Sequence, residues 1–383
     1  MLPRERYLSA LATAIKRSPI CALLGPRQCG KTTLARMLGK QRAAHFFDLE
    51  SEVDRRRLQN PELMLGPLSG LVVLDEIQYV PELFSVLRIL ADRQQSQTRF
   101  LILGSASPQL VRDASETLAG RVEFIDLSGF DLSEISAQES DTLWLRGGFP
   151  RSFLADTEAD SLAWREGFIR TFLERDIPQL GITIPASAIR RFWTMLAHLH
   201  GQTWNASELG RSMGLSDKTV RAYLDILTGT YMVRQLQPWH ENIGKRQVKA
   251  PKVYLRDSGL LHSLLGIYDR FNLLGHPRLG ASWEGYALEQ VLQLVRPDPA
   301  WFWATHGGAE LDLLIFAGSK RYGVECKFTE APRVTKSMHS ALSDLDLAHL
   351  WVVYPGSHSY PAHEKITMLP ISEAASIASI IDI

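Results

Sequence analysis

A glycine-rich loop that ends in lysine and threonine occupies residues 25–32, with the sequence Gly-Pro-Arg-Gln-Cys-Gly-Lys-Thr. Gly25 and Gly30 allow backbone N–H groups to turn toward bound phosphates. Lys31 can neutralise the terminal phosphates, and the Thr32 hydroxyl can ligate Mg²⁺. The pattern therefore predicts ATP and Mg²⁺ as cofactors. The residues expected to contact the nucleotide are Gly25, Pro26, Arg27, Gln28, Cys29, Gly30, Lys31, Thr32 and Thr33.

An acidic pair, Asp75 and Glu76, follows the apolar run at residues 71–74. That run predicts a buried parallel strand, whose carboxyl end is where sheet-type ATPases place metal and water. Asp75 is expected to hold Mg²⁺ through its water shell, and Glu76 to orient and polarise the attacking water. The alternative, helix capping by the pair, explains only one of the two acids.

Two further polar positions accompany the predicted sheet. The strand at residues 100–103 delivers Ser105 and Ser107 to the same edge, where either hydroxyl could sense the γ-phosphate; the alternative is an ordinary polar turn. Arg121 precedes the strand at 122–125 and could act as an arginine finger on a neighbouring subunit's phosphate. The alternative for Arg121 is an exposed arginine without a role.

Carboxylates and a lysine also converge near the end of the chain. Residues 310–315 and 322–327 predict two strands, and the period of two places Glu325 and Lys327 on one face with Cys326 in the core. With Asp312 on the adjoining strand, this set provides metal ligands and a cation suited to Mg²⁺-dependent phosphodiester cleavage. The alternatives are a domain that binds DNA or serves a structural role without cleavage, and a structural salt bridge between Glu325 and Lys327.

The middle of the chain predicts a helix-turn-helix followed by a basic hairpin. Asn205 begins one short helix, a turn follows at residues 213–215, and Ser216 caps a second helix. The strand at 232–236 and the segment 244–254 then complete a winged helix. Cations on the second helix and on the wing could contact DNA phosphates or bases; the alternative is a protein-docking module. The predicted DNA-binding residues are Lys218, Arg221, Lys245, Arg246, Lys249 and Lys252.

Composition is compatible with a large, fully folded, cytoplasmic protein. The chain has 383 residues, 45% of them apolar, and Lys+Arg and Asp+Glu are both 42. A balanced charge neither supports nor excludes nucleic-acid binding, because a local basic stripe is sufficient. The three cysteines lack metal-like spacing, and no apolar run approaches the length of a membrane span, so neither a disulfide framework nor a membrane anchor is expected.

Taken together, these motifs resemble the prokaryotic predicted AAA-type ATPases that carry a C-terminal domain of unknown function. The similarity continues beyond the nucleotide site, at residues 147–150, 171–176 and 252–260, and so covers nearly the whole chain. Ser stands where the family usually has Asn at the strand-four sensor. The C-terminal pattern, with Glu284 on a preceding helix, resembles the PD-(D/E)xK nucleases, which implies Glu284, Asp312 and Glu325 as metal ligands and Lys327 as a catalytic residue.

The resemblance implies an α/β fold with three domains. These are an AAA-type ATPase domain with a parallel sheet and a small helical lid (1–180), a winged helix-turn-helix (181–265) and a restriction-nuclease-like α/β domain (266–383). The expected function is a Mg²⁺-dependent ATPase that acts on duplex or branched DNA as a homo-oligomer, with a hexameric ring as one candidate. The alternative is an ATP-driven regulatory switch that binds protein partners.

Overall fold

The computed structural model describes residues 2–93, 97–105, 114–241 and 244–381. The chain forms two compact units. The first comprises Met1–Gly129 together with Gly229–Tyr231, and the second comprises Phe130–Thr228 together with Met232–Ile383. Among the described residues, no helix combines the length and the apolar character needed to cross a membrane.

The first unit is built on a five-stranded parallel sheet with the order β2-β3-β4-β1-β5. The strands are β1 (Ile20–Gly25), β2 (Ala44–Asp48), β3 (Gly70–Asp75), β4 (Thr98–Ser105) and β5 (Val122–Asp126). Strand β1 is buried along its whole length, which explains its continuous apolar sequence. The α helices around the sheet include Glu5–Arg17, Lys31–Gly39, Glu52–Arg57, Pro61–Leu65 and Leu83–Ala91. The predicted order of strand, glycine loop and helix is confirmed.

The second unit contains a nine-stranded mixed sheet with the order β13-β14-β12-β11-β10-β9-β7-β8-β6. Its strands are β6 (Gln202–Thr203), β7 (Val233–Pro238), β8 (Lys252–Leu255), β9 (Ala300–Ala304), β10 (Glu310–Ala317), β11 (Lys320–Cys326), β12 (His349–Tyr354), β13 (Tyr360–His363) and β14 (Ile366–Pro370). The two C-terminal strands predicted around Asp312 and Glu325 are therefore present as β10 and β11.

Helices precede the second unit's strands in the chain and then alternate with them. Their bounds are Ser140–Arg146, Pro150–Phe153, Glu158–Thr171, Ile177–Gln179, Ala186–His198, Ala206–Met213, Asp217–Gly229, Ser258–Leu265, Arg270–Leu274, Leu279–Val295, Lys336–Asp344 and Ser376–Ile380. The helix Leu279–Val295 carries Glu284, which was predicted to lie on a helix that precedes the two C-terminal strands. The domain boundaries predicted at residues 180 and 265 stay predictions.

The helix-turn-helix has the predicted bounds and caps. The Asn205 side chain accepts a hydrogen bond from the Glu208 N–H at the start of Ala206–Met213. Ser216 Oγ accepts from the Thr219 N–H at the start of Asp217–Gly229. Strands β7 and β8 then form an antiparallel hairpin, and β6 pairs with the other edge of β8. The hairpin continues into the rest of the sheet, because β7 also pairs with β9.

A buried hydrogen-bond chain passes through His262 in the helical part of the second unit. Nδ1 of His262 lies 2.9 Å from the Leu145 carbonyl, which can only accept, so this nitrogen carries the proton. The Nε2 atom then accepts from Ser282 Oγ at 2.7 Å, and Ser282 Oγ accepts from Trp144 Nε1 at 3.0 Å. Burial lowers the pKa of His262 to about 4. The ring is therefore held neutral and in one tautomer.

Candidate functional site

The phosphate-binding loop connects the buried end of β1 to the helix Lys31–Gly39. Gln28 and Gly30 have left-handed backbone angles, with φ of 61° and 103°. A Cβ atom on Gly25 would lie 2.1 Å from the Leu127 carbonyl oxygen, so only glycine fits at the strand end. The loop's turn therefore depends on these positions, and it leads directly into a helix N-terminus suited to anions.

Lys31 is buried and its ammonium points back into the loop. The Nζ atom donates to the Gly25 carbonyl at 3.0 Å and to the Pro26 carbonyl at 2.9 Å. Of the other predicted loop contacts, Cys29 is buried, Arg27 is half-buried, and Gln28 and Thr33 are exposed. The lysine is thus held on the inner side of the loop, next to the strand end.

Thr32 and Asp75 are brought together at the carboxyl ends of β1 and β3. The Thr32 hydroxyl donates to Asp75 Oδ2 at 2.7 Å. Asp75 Oδ1 is buried and accepts no hydrogen bond from any residue that the structure describes. Burial raises the pKa of Asp75, as does the neighbouring Glu76 carboxylate, while the Thr32 hydrogen bond lowers it. A buried carboxylate oxygen without a donor, beside a hydroxyl, fits the ligand chemistry of Mg²⁺.

Glu76 lies in a left-handed conformation, with φ of 56°, directly after β3. Two side chains donate to its Oε2 atom: Ser105 Oγ at 3.4 Å, and Nε2 of Gln78. Ser105, predicted as a phosphate sensor, is therefore bonded to the predicted catalytic acid. Ser107, the other candidate sensor, lies outside the described residues. Gln78 is a contributor that sequence reasoning missed, although its position two residues after the acid was a signal.

Arg4 is a second contributor that the sequence did not reveal. Its buried guanidinium donates to the Cys29 carbonyl at 2.9 Å, within the phosphate-binding loop. It also donates to the Ser128 carbonyl at 3.2 Å and to the Gly129 carbonyl at 3.0 Å. Arg4 therefore ties the back of the loop to the segment that follows β5. No recognisable motif surrounds it, so only the structure identifies it.

Arg121 lies at the opposite edge of the sheet from the phosphate-binding loop. It directly precedes β5, which runs parallel to β1 with Val122 beside Ile20. The six residues of β1 separate the two edges, a distance of roughly 16 Å at about 3.3 Å per residue. The guanidinium forms a two-pronged ion pair with Asp92, with distances of 2.7 and 2.9 Å. Arg121 is thus remote from the nucleotide site of its own chain.

The C-terminal residues singled out from sequence do converge in the second unit. Lys327 Nζ lies 2.7 Å from Glu325 Oε1 and 3.9 Å from Asp312 Oδ2. The backbone contributes as well: Cys326 N–H donates to Asp312 Oδ2 at 2.9 Å, and Asp312 N–H donates to Glu325 Oε2 at 3.3 Å. Strands β10 and β11 carry Asp312, Glu325 and Cys326, and Lys327 directly follows β11.

Lys252 completes this carboxylate cluster, which we define as Glu284, Glu310, Asp312 and Glu325. Its Nζ atom lies 3.3 Å from Glu284 Oε1 and 3.5 Å from Asp312 Oδ1, and it also pairs with Glu310. The Lys252 residue is only 4% exposed. Its predicted role as a wing cation for DNA phosphates does not fit this position, because the ammonium faces inward from β8. Tyr254, also missed, donates to Glu284 Oε1 at 2.7 Å.

The electrostatics of the cluster reflect its burial. Burial raises the pKa of Glu284 to about 7 and that of Glu325 to about 8, and the nearby Asp312 carboxylate adds to both shifts. Burial by itself lowers the pKa of Lys252, but the surrounding acidic groups hold it well above its usual value. Among the described residues, no group of three or more His, Cys, Asp or Glu side chains is arranged to hold a metal ion.

The other predicted DNA-binding cations are at the surface of the second unit. Lys218 and Arg221 are exposed on the second helix of the helix-turn-helix. A groove of about 920 Å³ lies beside the wing, and Lys245, Arg246 and Lys249 are among the residues that line it. The groove is also lined by Thr203, Trp204, Asn205, His240, Gln247, Val248, Ala250 and His306. Lys245 pairs with Asp344 at 2.6 Å.

A parallel sheet with a glycine loop, a buried lysine and an acidic pair at its carboxyl edge defines the first unit as a P-loop ATPase of the AAA type. Comparison with known proteins agrees. Residues 17–136 match the family described as AAA domain, residues 137–270 a domain of unknown function (DUF8612), and residues 279–374 another (DUF4143). The chain belongs to the AAA-type P-loop ATPases that carry this C-terminal domain of unknown function.

Individual relatives are similar to this chain over most of their length. Protein Mb2031c of Mycobacterium bovis and protein Rv2008c of Mycobacterium tuberculosis are each 50% identical over 380 residues, which is 99% of this chain and 86% of theirs. Among solved structures, the Walker-type ATPase PABY2304 of Pyrococcus abyssi is similar in fold, with a TM-score of 0.50 and 14% identity. That match covers 69% of this chain and 96% of the other.

Proposed function

We propose that this protein hydrolyses ATP with Mg²⁺ and acts on DNA through the winged helix of its second unit. Thr32 and Asp75 would hold the metal ion, which neutralises phosphate charge when bound. Lys31, which donates to two loop carbonyls, would turn to the terminal phosphates. Glu76, held by Ser105 and Gln78, would orient the attacking water.

The observation that carries the DNA part of the proposal is the groove beside the wing. Three cations line it, and two of them, Arg246 and Lys249, form no ion pair with any residue in the described parts of the chain. Unpaired cations in a concave surface favour a polyanion, since each phosphate contact releases condensed counterions from DNA. Trp204 adds an aromatic side chain to the wall, and Lys218 and Arg221 are exposed on the adjoining helix pair.

Salt dependence of DNA affinity tests this proposal. Binding of fluorescently labelled linear and forked DNA is measured by anisotropy at several salt concentrations, with ATP and Mg²⁺ present. The double variant Arg246→Gln/Lys249→Gln removes two phosphate contacts, so the slope of log K against log salt should become shallower by about 1.8. The matched control is Lys320→Gln/Lys336→Gln, which removes two exposed lysines elsewhere in the same unit. Its slope should match that of the unmodified protein.

If neither DNA is bound at low salt, or if the two double variants behave alike, the DNA proposal is wrong. The regulatory switch, in which the winged helix docks a protein, would then be the better hypothesis.

We further propose that the protein works as a homo-oligomer in which Arg121 serves a neighbouring subunit. Support comes from the position of Arg121 at the sheet edge far from its own phosphate-binding loop. Mixing Arg121→Ala subunits with Lys31→Ala subunits tests the idea. In a mixed oligomer, an Arg121→Ala subunit keeps an intact phosphate-binding loop, and a neighbouring Lys31→Ala subunit can supply an intact Arg121 to it. ATP turnover that recovers on mixing would support a finger in trans. No recovery, from two variants that each assemble, would refute it.

A further inference from the structure

We propose that the Lys252 ammonium is the resident cation of the carboxylate cluster, so that the C-terminal domain binds no divalent metal ion there and does not cleave DNA. The inference is independent of the DNA-binding proposal, since a domain can bind DNA without cutting it. It rests on three features of the second unit: the position of the ammonium, the partners of the carboxylate oxygens, and the anchoring of the lysine stem.

The position of the ammonium is that of a shared counter-ion. Lys252 Nζ contacts carboxylates from two separate elements, Glu284 on the helix Leu279–Val295 and Glu310 and Asp312 on β10. A divalent ion ligated by the same oxygens would lie about 2.0–2.6 Å from them. A divalent ion at that distance from the shared oxygens would lie next to the Lys252 ammonium. Two cations held so close together in a buried site repel each other strongly. One site therefore takes one cation.

Both carboxylate oxygens of Asp312 and both of Glu325 are engaged by donors of the protein itself. Asp312 Oδ1 faces Lys252, and Asp312 Oδ2 accepts from the Cys326 N–H. Glu325 Oε1 pairs with Lys327, and Oε2 accepts from the Asp312 N–H. The contrast with Asp75 Oδ1 in the first unit is direct, because that oxygen is buried without a donor among the described residues. The same chain thus contains one carboxylate oxygen open to a metal ion in the first unit, and two carboxylates in the second unit whose oxygens are all engaged.

The lysine stem is anchored so that the ammonium stays in place. Lys252 begins β8, where it pairs with Thr203 of β6 on one side and Leu236 of β7 on the other. Its Nζ atom lies 5.6 Å from the centre of the Phe302 ring and 6.0 Å from that of Tyr254, within cation–π range. Strand β8 is an internal strand, so ladder hydrogen bonds on both sides fix the backbone of Lys252, and burial among the carboxylates holds the ammonium at the end of the stem.

Manganese binding, measured by electron paramagnetic resonance without nucleotide, tests the proposal on the full chain. Asp75→Asn serves as the background, because it removes the only carboxylate among the two residues proposed to hold the metal ion in the first unit. This background protein should bind no Mn²⁺ at the cluster, and it should leave plasmid DNA uncut in Mg²⁺ or Mn²⁺. Lys252→Met, added to the background, keeps the stem and removes the charge, so it should gain one Mn²⁺ site that a further Asp312→Asn abolishes. Lys252→Arg is the matched control, which retains a cation and should gain none.

Two results would overturn the proposal. One is Mn²⁺ binding or DNA cutting by the Lys252-containing protein that is lost on Asp312→Asn, a measurement that does not depend on the folding of any Lys252 variant. The other is a folded Lys252→Met protein that still takes up no Mn²⁺, because the ammonium would then not be what excludes the ion.

Discussion

Acidification from pH 7.5 to pH 5 is expected to destabilise the second unit by about 2 kcal/mol through His262 alone. The folded-state pKa is about 4, whereas an unfolded histidine titrates near 6.5. Between these values the unfolded chain binds a proton that the folded chain excludes. The stabilising contribution is therefore fully present above pH 6.5 and is lost as the pH falls toward 4. Linkage between these two pKa values gives the stated loss at pH 5.

Two measurements check this prediction. Urea unfolding, followed by tryptophan fluorescence, gives the free energy of unfolding for the natural protein and for His262→Gln at both pH values. The difference in free energy of unfolding between the natural protein and His262→Gln should be smaller at pH 5 than at pH 7.5 by about 2 kcal/mol, because glutamine does not titrate. A ¹³C signal from the His262 ring should also stay unchanged down to about pH 5.

The control is His240→Gln, which alters an exposed histidine in the same unit. Its free energy of unfolding is measured at the same two pH values, so that loss of an exposed imidazole can be compared with loss of the buried one. The reasoning is refuted if the difference in free energy of unfolding between the natural protein and His262→Gln is the same at pH 7.5 and at pH 5. It is also refuted if the ¹³C signal of the His262 ring titrates near pH 6.5.

Three further predictions concern the first unit. Glu76→Gln should keep ATP affinity but lower phosphate release by about 10²–10⁴-fold, since the amide cannot act as a base; normal turnover would assign the water to another group. Gly25→Ala should abolish binding of a fluorescent ATP analogue, because its Cβ would lie 2.1 Å from the Leu127 carbonyl oxygen; unchanged binding would show that the loop can move aside. Arg4→Ala should cost about 3 kcal/mol of unfolding free energy and weaken ATP binding, because the Cys29 carbonyl loses a charged donor. Arg4→Lys should recover only part of the stability and part of the ATP affinity, measured by thermal shift and by nucleotide titration. Full recovery would show that donation from two guanidinium nitrogens is not needed.

The nucleotide site could be predicted from sequence because its chemistry is local. The loop at 25–32 and the acids after residue 74 each sit at the end of a short apolar run, and parallel strands bring their carboxyl ends to one edge. Arg4 could not be found in this way. Its partners are the Cys29, Ser128 and Gly129 carbonyls, and backbone acceptors leave no mark in the residue types.

The C-terminal cluster was predictable only in part, for a related reason. Asp312 and Glu325 lie on two strands joined by a short turn, and Lys327 directly follows the second strand, so their convergence follows from the period of two. Lys252 was grouped with the wing because of its neighbours in sequence. The same period applied to β8 would have placed Lys252 and Tyr254 together on one face. No local sequence pattern predicts that this face contacts Glu284. That contact depends on a sheet assembled from strands that are distant in the sequence.

The pairing of β7 with β9 also bears on how chains of this type are inherited and recombined. The families matched at residues 137–270 and 279–374 meet between β8 and β9, yet Gln237 pairs with Trp301, and Pro238 with Phe302, across that boundary. A gene rearrangement that replaced only one segment would leave a strand edge of the other without its partner, and an open edge invites aggregation. We therefore expect the two strand-bearing segments to be exchanged together rather than singly, although sequence comparison divides them into two.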